Sequence, residues 1–273
     1  MSSRYWDETA AENNRRFQFN FPTSTLAGKT IVLAGGTGGL GAATAALLLR
    51  ERAQLVVGFL SNRNRAEEFQ RAMREQFDET IALVEGDLID SKVRSAYVQA
   101  IIRIGKPLAG AVIFPGDPAR VAFEDLDRGS FMASLEDNYV GPVLLAKELG
   151  EAMEGNAGGS VVLMASMQAV EVFSSSLNYA GPKAALVHAA RVLGQQWKNV
   201  RVNVVAPGAT TAGMAEASVL SGKYDRYVES QAIPRFGRPE DIARAIRYFL
   251  EPDNYTTGQV LVVDGGLTLR RGL

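Results

Sequence analysis

From Lys29 onward, short β-branched apolar runs alternate with longer amphipathic segments, and turn residues separate them. The apolar runs are Thr30–Ala34, Leu55–Phe59, Ile81–Glu85, Gly110–Phe114, Ser160–Ala165, Arg201–Val205 and Val260–Val263. Helix-length stretches lie between them, at Ala42–Glu51, Ala66–Phe77, Lys92–Ile104, Phe131–Met153, Pro182–Trp197 and Pro239–Leu250. Near-continuous apolar strands alternating with helices are the pattern of a parallel sheet covered on both faces. Right-handed crossovers make the arrangement doubly wound, an α/β fold in three layers with seven strands in the middle.

The first 28 residues read differently. They are polar and charged at the start, with Trp6, Phe17, Phe19 and Phe21 scattered ahead of Pro22. We take residues 1–28 as an N-terminal arm that packs on its own domain or on a neighbouring subunit, with closure over a substrate as the alternative. No internal repeat or low-complexity linker follows, so residues 29–273 form a single domain.

Composition narrows the chemistry mainly by what is missing. The formal net charge is -1, from 29 basic and 30 acidic residues, and no basic run is dense enough for a phosphate-backbone footprint, which argues against nucleic acid as a partner. No stretch approaches the roughly 20 apolar residues of a membrane span. The N-terminal segment MSSRYWDETAAENNRRF also lacks the apolar core of a signal peptide, so a cytoplasmic location is expected. The absence of cysteine excludes disulfides, thiolate catalysis and cysteine-ligated metals. A single histidine, His188, rules out a histidine-rich metal site, and no metal is expected. Acid–base chemistry is left to carboxylates, lysine or tyrosine.

After the first run comes Ala34-Gly35-Gly36-Thr37-Gly38-Gly39-Leu40-Gly41, opening into the helical AATAALLLR. Without Cβ atoms the backbone can turn tightly, approach a pyrophosphate and pack helix against strand. The free N–H groups and the positive end of the helix dipole then face the anion. Gly35, Thr37, Gly38, Gly39, Leu40 and Gly41 are therefore candidate dinucleotide contacts, and the fold reads as Rossmann-like. A carboxylate at the end of the second strand would mark NAD by accepting from the ribose 2′-OH. Here the stretch is Gly58-Phe59-Leu60-Ser61-Asn62-Arg63-Asn64-Arg65, with no carboxylate before Glu67. Ser61, Asn62 and Arg63 can instead bind a 2′-phosphate, which favours NADP(H) over NAD(H).

Tyr179 and Lys183 stand four apart and share one face of a helix. A phenol near its reference pKa of about 10 is a poor base, and a nearby ammonium moves it toward the working pH. Ser166, thirteen positions upstream, ends the strand SVVLMAS, where open α/β sheets bind ligands and a hydroxyl can meet a substrate oxygen. Asn138 lies in the helical SLEDNYVGPVLL. His188, nine residues past Tyr179, falls about 180° around the helix and reads as structural. Pro182 is tolerated only in a helix's first turn, so the helix is expected to begin no more than about four residues before it, or to kink there.

Together Asn138, Ser166, Tyr179 and Lys183 match in type, order and approximate spacing the tetrad of the short-chain dehydrogenase/reductase family, and Gly35-x-x-x-Gly39-x-Gly41 resembles that family's glycine turn. The resemblance covers about Lys29 to Gly266. It implies that Tyr179 exchanges a proton with the substrate oxygen while hydride passes to or from the nicotinamide. Lys183 would lower the tyrosine pKa and hold the nicotinamide ribose, Ser166 would orient the carbonyl, and Asn138 would support a water in a proton relay. It further implies that Asp87 and Leu88 meet the adenine edge, and that Gly116, Pro207, Gly208 and Thr210 flank the cofactor. The substrate would be a ketone or secondary alcohol, and the assembly a homo-oligomer, tetramer or dimer. Three positions depart from the family: Ala34 replaces a threonine, Ile113-Phe114-Pro115-Gly116 stands for N-N-A-G, and Ala212 replaces the threonine that meets the carboxamide. Residues 212–233 are expected to form a lid, shaping the pocket with Met167, Gln168 and Val170. The alternatives are a nucleotide-binding carrier or regulator without turnover, and an epimerase or dehydratase, which would need a larger C-terminal region.

Overall fold

Alternation along the first strand, β1 (Thr30–Ala34), sends Ile31 and Leu33 to one side of a sheet and Val32 and Ala34 to the other, all fully buried. A computed structural model describes residues 7–18, 26–79, 81–173, 176–212, 219–222, 224–230 and 232–269. The remaining strands are β2 (Gln54–Phe59), β3 (Ile81–Glu85), β4 (Leu108–Ile113), β5 (Gly159–Met164), β6 (Val200–Pro207) and β7 (Val260–Val263). They form one seven-stranded sheet in the order β3-β2-β1-β4-β5-β6-β7, parallel throughout. The order reverses between β1 and β4, where such sheets open a crevice for ligands.

Two helical layers cover this sheet. On one face α4 (Ser91–Ile104), α6 (Gly141–Glu154) and α7 (Leu177–Gln196) bring Tyr97, Leu145, Leu149 and Leu186 against Val32, Val56 and Val161. On the other, α2 (Gly39–Arg50), α3 (Arg63–Phe77) and α9 (Pro239–Leu250), which follows the short α8 (Asp225–Ser230), pack Leu48, Phe69, Ile246 and Phe249 on Ile31, Leu55 and Val162. The expected three layers and seven strands are therefore present. Outside them, α1 (Glu8–Arg15) is a short helix whose Arg15 pairs with Glu8. Phe17 is exposed, while Trp6, Phe19, Phe21 and Pro22 lie outside the described residues. Among the described residues no helix is long and apolar enough to cross a membrane.

Two helices differ from the sequence expectation, and proline is the reason in both. The single helix expected at Phe131–Met153 is α5 (Arg128–Leu135) and α6 joined by a π turn, Glu136–Val140. Pro142 has no N–H for the carbonyl of Asn138, and Gly141 donates five residues back to Glu136. Pro182 sits five residues after the start of α7 at Leu177, one more than expected. It leaves the carbonyl of Asn178 without its helical donor, and the hydroxyl of Ser134 donates to that carbonyl instead. The helix can thus run past its proline because another element fills the gap.

Closeness of the first turn to α2 depends on glycine. A Cβ at Gly41 would lie 2.5 Å from the Gly36 backbone, which cannot yield as a side chain would. Gly41→Ala is expected to destabilise the protein by about 1–3 kcal/mol, the usual cost of overpacking, as read by urea unfolding.

Candidate active site

The C-terminal ends of β1, β2, β4, β5 and β6 open into a cleft of about 780 Å³. Gly35, with φ +73°, turns the chain out of β1, and the Gly36 amide donates to Gly58 on β2. Gly38 caps α2 without a side chain, and the first turn of that helix carries no acidic residue, so no carboxylate of that turn opposes an anion at its free amides. Gly35, Gly38, Leu40 and Gly41 line the cleft, whereas Thr37 and Gly39 complete the turn away from its wall.

Next along the cleft, Asp87 and Leu88 are on the wall. The Asp87 carboxylate accepts from the Ile89 amide at 2.9 Å, and buried Arg94 on α4 holds the segment by donating to the carbonyls of Leu88 and Ile89. Arg94 is itself paired with Glu148 at 2.7 Å. Phe59 and Leu60 also line the cleft, but Ser61, Asn62 and Arg63 do not. Asn62 caps α3 by accepting from the Arg65 amide, and Arg63 is ion-paired with Glu85 at the end of β3.

At the far end the four tetrad positions converge. Lys183 is 1% exposed, and its Nζ donates to the Met164 carbonyl at 3.0 Å while lying 5.8 Å from the centroid of the Tyr179 ring. Burial pulls its pKa down to about 8. Ser166 follows β5, where its hydroxyl accepts from the Gln168 amide and bonds the Tyr179 side chain. Asn138, fully buried in the π turn, donates through Nδ2 to the carbonyls of Asp117 and Ser134, both at 3.0 Å. Its Oδ1 has no protein partner among the described residues. Gly116 stands over both polar groups: a Cβ there would lie 2.5 Å from Asn138 Oδ1 and 2.8 Å from Lys183 Nζ.

Tyr179 corrects one expectation. Its pKa is raised, chiefly by burial and further by the charge of Asp117, while the bond to Ser166 pulls the other way. Burial is the largest influence on the phenol, and the same burial disfavours the charge on Lys183. Its surroundings therefore favour the neutral phenol over the phenolate.

Pro207, Gly208, Thr210 and Ala212 close the remaining side of the cleft. Thr210 is buried with its hydroxyl donating to the Gly208 carbonyl, and Thr211 is turned toward Gly237. Of the residues expected to shape the pocket, Met167 and Gln168 line it and Val170 does not. The expected lid is described only in part: Ala212 and Tyr224 line the cleft, and residues 213–218, 223 and 231 lie outside the described residues. His188 is exposed on α7 and takes no part. Sequence reasoning missed Tyr97, Asp117, Arg120 and Phe173, all on the wall. Tyr97 reads as an ordinary core position of α4, and only Gly58, whose Cβ would strike the Tyr97 hydroxyl, hints at it. Among the described residues no group of three or more acidic or histidine side chains could hold a metal ion.

Residues 34–268 match a family model described as enoyl-(acyl carrier protein) reductase. The chain belongs to the short-chain dehydrogenase/reductase family. Similar members of the family include an uncharacterized oxidoreductase of Methylorubrum extorquens, 28% identical over 249 residues that span 89% of this chain and 99% of that one. A 7alpha-hydroxysteroid dehydrogenase of Bacteroides fragilis is 27% identical over 253 residues, 88% of this chain and 95% of its own. Among solved structures, levodione reductase superposes with a TM-score of 0.84 at 25% identity, covering 90% of this chain and all of that one. As a short-chain dehydrogenase/reductase, the chain is an NAD(P)-dependent oxidoreductase.

Lys183 couples the site to stability. Its folded pKa of about 8 lies below the ordinary 10.5, so below pH 8 the folded state carries a desolvated charge, and that cost is relieved as pH rises from 8 toward 10.5. Relative to Lys183→Met, the wild type is expected to gain stability on the order of 3 kcal/mol between pH 7 and 10.5. Urea unfolding of both proteins at the two pH values measures it. A constant difference between them would sink the idea.

Proposed function

We propose that this short-chain dehydrogenase/reductase moves hydride between NADP(H) and a ketone or secondary alcohol, with Tyr179 as general acid and base. The observation that carries the reading is the meeting of Tyr179, Ser166, Lys183 and Asn138 at one end of a cleft whose other end is the glycine turn. The turn fits a dinucleotide, since Gly35, Gly38 and Gly41 leave the backbone bare where a pyrophosphate approaches and the first amides of α2 stand free to receive it. Bound there, the cofactor supplies or accepts the hydride.

Every other part belongs to the chain. Tyr179, kept protonated by burial, holds the proton that a carbonyl oxygen takes up on reduction, and Ser166 orients that oxygen. Lys183 would bind the nicotinamide ribose, with Gly116, Pro207, Gly208 and Thr210 around it. Asn138 offers its unpartnered Oδ1 to a relay water. Asp87 and Leu88 would face the adenine. For the 2′-phosphate, Arg63 exchanges the carboxylate of Glu85 for the ligand, beside Ser61 and Asn62. Mid-sized carbonyls suit the cleft, a 3-oxoacyl thioester among them. We further propose a homo-oligomer, tetramer or dimer, supported by the exposed Tyr248 of α9 and Leu261 of the edge strand β7.

NADPH oxidation against a panel of carbonyls tests the reading. Tyr179→Phe is expected to lower turnover by at least about 10² while NADPH still binds. Binding of dinucleotide without turnover in the wild type would make the chain a nucleotide-binding carrier. For the cofactor, Arg63→Ala is expected to weaken NADPH binding about tenfold or more and to leave NADH unchanged. Equal losses for the two cofactors would remove Arg63 from the phosphate site.

A further inference from the structure

In the helical segments of this chain two asparagines stand four residues before a proline, Asn138 before Pro142 and Asn178 before Pro182. In an α-helix the amide four residues on donates to each of these backbone carbonyls, and proline has none to give. The same two asparagines are the ones, among the described residues, whose side-chain oxygen is buried without a hydrogen-bond partner. Each lies beside the reacting end of the cleft: Asn138 belongs to the tetrad, and Asn178 immediately precedes Tyr179.

Ser134 joins them. It sits on α5, 3% exposed, one helical turn before Asn138. Its hydroxyl donates to the Asn178 carbonyl, and it accepts from Asn138 Nδ2 at 3.2 Å. Asn138 Nδ2 donates as well to the Ser134 backbone carbonyl. One hydroxyl thus donates to the first turn of α7 and accepts from the π turn, a dual role that alanine cannot fill.

We propose that Ser134 is a positioning residue of the active site. It supplies the hydrogen bond that Pro182 cannot, and so fixes the first turn of α7, with Tyr179, against the turn that bears Asn138. The proposal rests on the reading of Tyr179 as the proton-transferring residue. Without Ser134 the Asn178 carbonyl is buried and unpaired, and the least costly relief is a shift of the helix start toward some other donor. That shift moves the next residue, Tyr179. Displacements of about 1 Å cost about hundredfold in rate when a reacting group is involved. The proline and the serine are therefore a pair: alanine at 182 restores an amide for the Asn178 carbonyl, while Asn138 Nδ2 keeps the carbonyls of Asp117 and Ser134 as acceptors without the hydroxyl.

The test uses four full-length proteins: wild type, Ser134→Ala, Pro182→Ala and the double variant. The turnover number for NADPH-dependent carbonyl reduction, the Kd for NADPH and urea unfolding are measured for each, with activity read well below the unfolding temperature. Ser134→Ala alone is expected to lower kcat by about tenfold to hundredfold with the NADPH Kd unchanged. Pro182→Ala is expected to stay near wild type, and the double variant to recover most of the lost kcat. A serine that merely satisfies the core would reduce stability equally in both backgrounds and leave kcat alone, and that outcome overturns the proposal. If Ser134→Ala does not fold, the double variant is expected to fold again; failure of both to fold overturns it too. Should the wild type turn over no carbonyl, the reading of Tyr179 fails separately. The unfolding free energies then decide the pairing, non-additive in its favour and additive against it.

Discussion

Three segments of the chain converge on Gly116, and none has room for a β-carbon there. The loop after β4, the π turn with Asn138 and the helix with Lys183 approach so closely that any side chain would strike the amide oxygen of one and the ammonium of another. This placement of Asn138 and Lys183 needs a residue without a side chain in the loop after β4. It also explains why the loop can be rewritten upstream, as Ile113-Phe114-Pro115, while the glycine itself is kept in place by contact. Gly35 meets the same loop from the other side, where a Cβ would press on Pro115 at 3.2 Å. The glycine turn and the tetrad are therefore two ends of one packed seam.

Packing at that density has an electrostatic consequence. Lys183 is charged only against the resistance of its surroundings, with the Met164 carbonyl as its hydrogen-bond partner and, among the described residues, no carboxylate paired with it. The pKa of Tyr179 moves in the opposite direction, which likewise favours the neutral form, and Asp117 adds to the push. Burial disfavours charge on both groups, so the pair is biased toward a neutral phenol beside a weakly held ammonium. Such a pair keeps a proton on the phenol, in keeping with the proposed reduction of a carbonyl.

Much of this was legible in the sequence because periodicity and special residue types carry it. The strands Thr30–Ala34, Ile81–Glu85 and Val260–Val263 fall where the apolar runs lie, and the family follows from the glycine turn with the four polar positions in order. What escaped were interactions between distant segments. Tyr97 looks like any core residue of an amphipathic helix until Gly58 places β2 against its hydroxyl. Asp117 affects Tyr179 across the cleft, over a separation of 62 positions that no pattern encodes. Arg63 was visible as a charge but not as a charge already claimed by Glu85. The sign of the tyrosine shift was missed for a related reason: spacing places the ammonium near the phenol, whereas burial, a property of the whole fold, decides which form each group prefers.

The prolines show how far a local rule can be carried. Reading Pro182 as a helix breaker predicts a boundary within about a turn, and the helix oversteps it by one residue. Pro142 was passed over altogether, yet it coincides with the π turn that swings Asn138 into the site. Both prolines do what the backbone rule says, removing one donor each. The rule is silent on how the chain answers the loss, and the answers differ: beside Pro142 the Gly141 amide reaches five residues back to Glu136, whereas the Asn178 carbonyl accepts from a serine of another helix. A defect in a helix is tolerated where the neighbouring elements can answer it, and the places where three elements crowd together are the ones that can. It is for this reason that the irregular turns of this fold and its polar side chains of consequence occur at the same point.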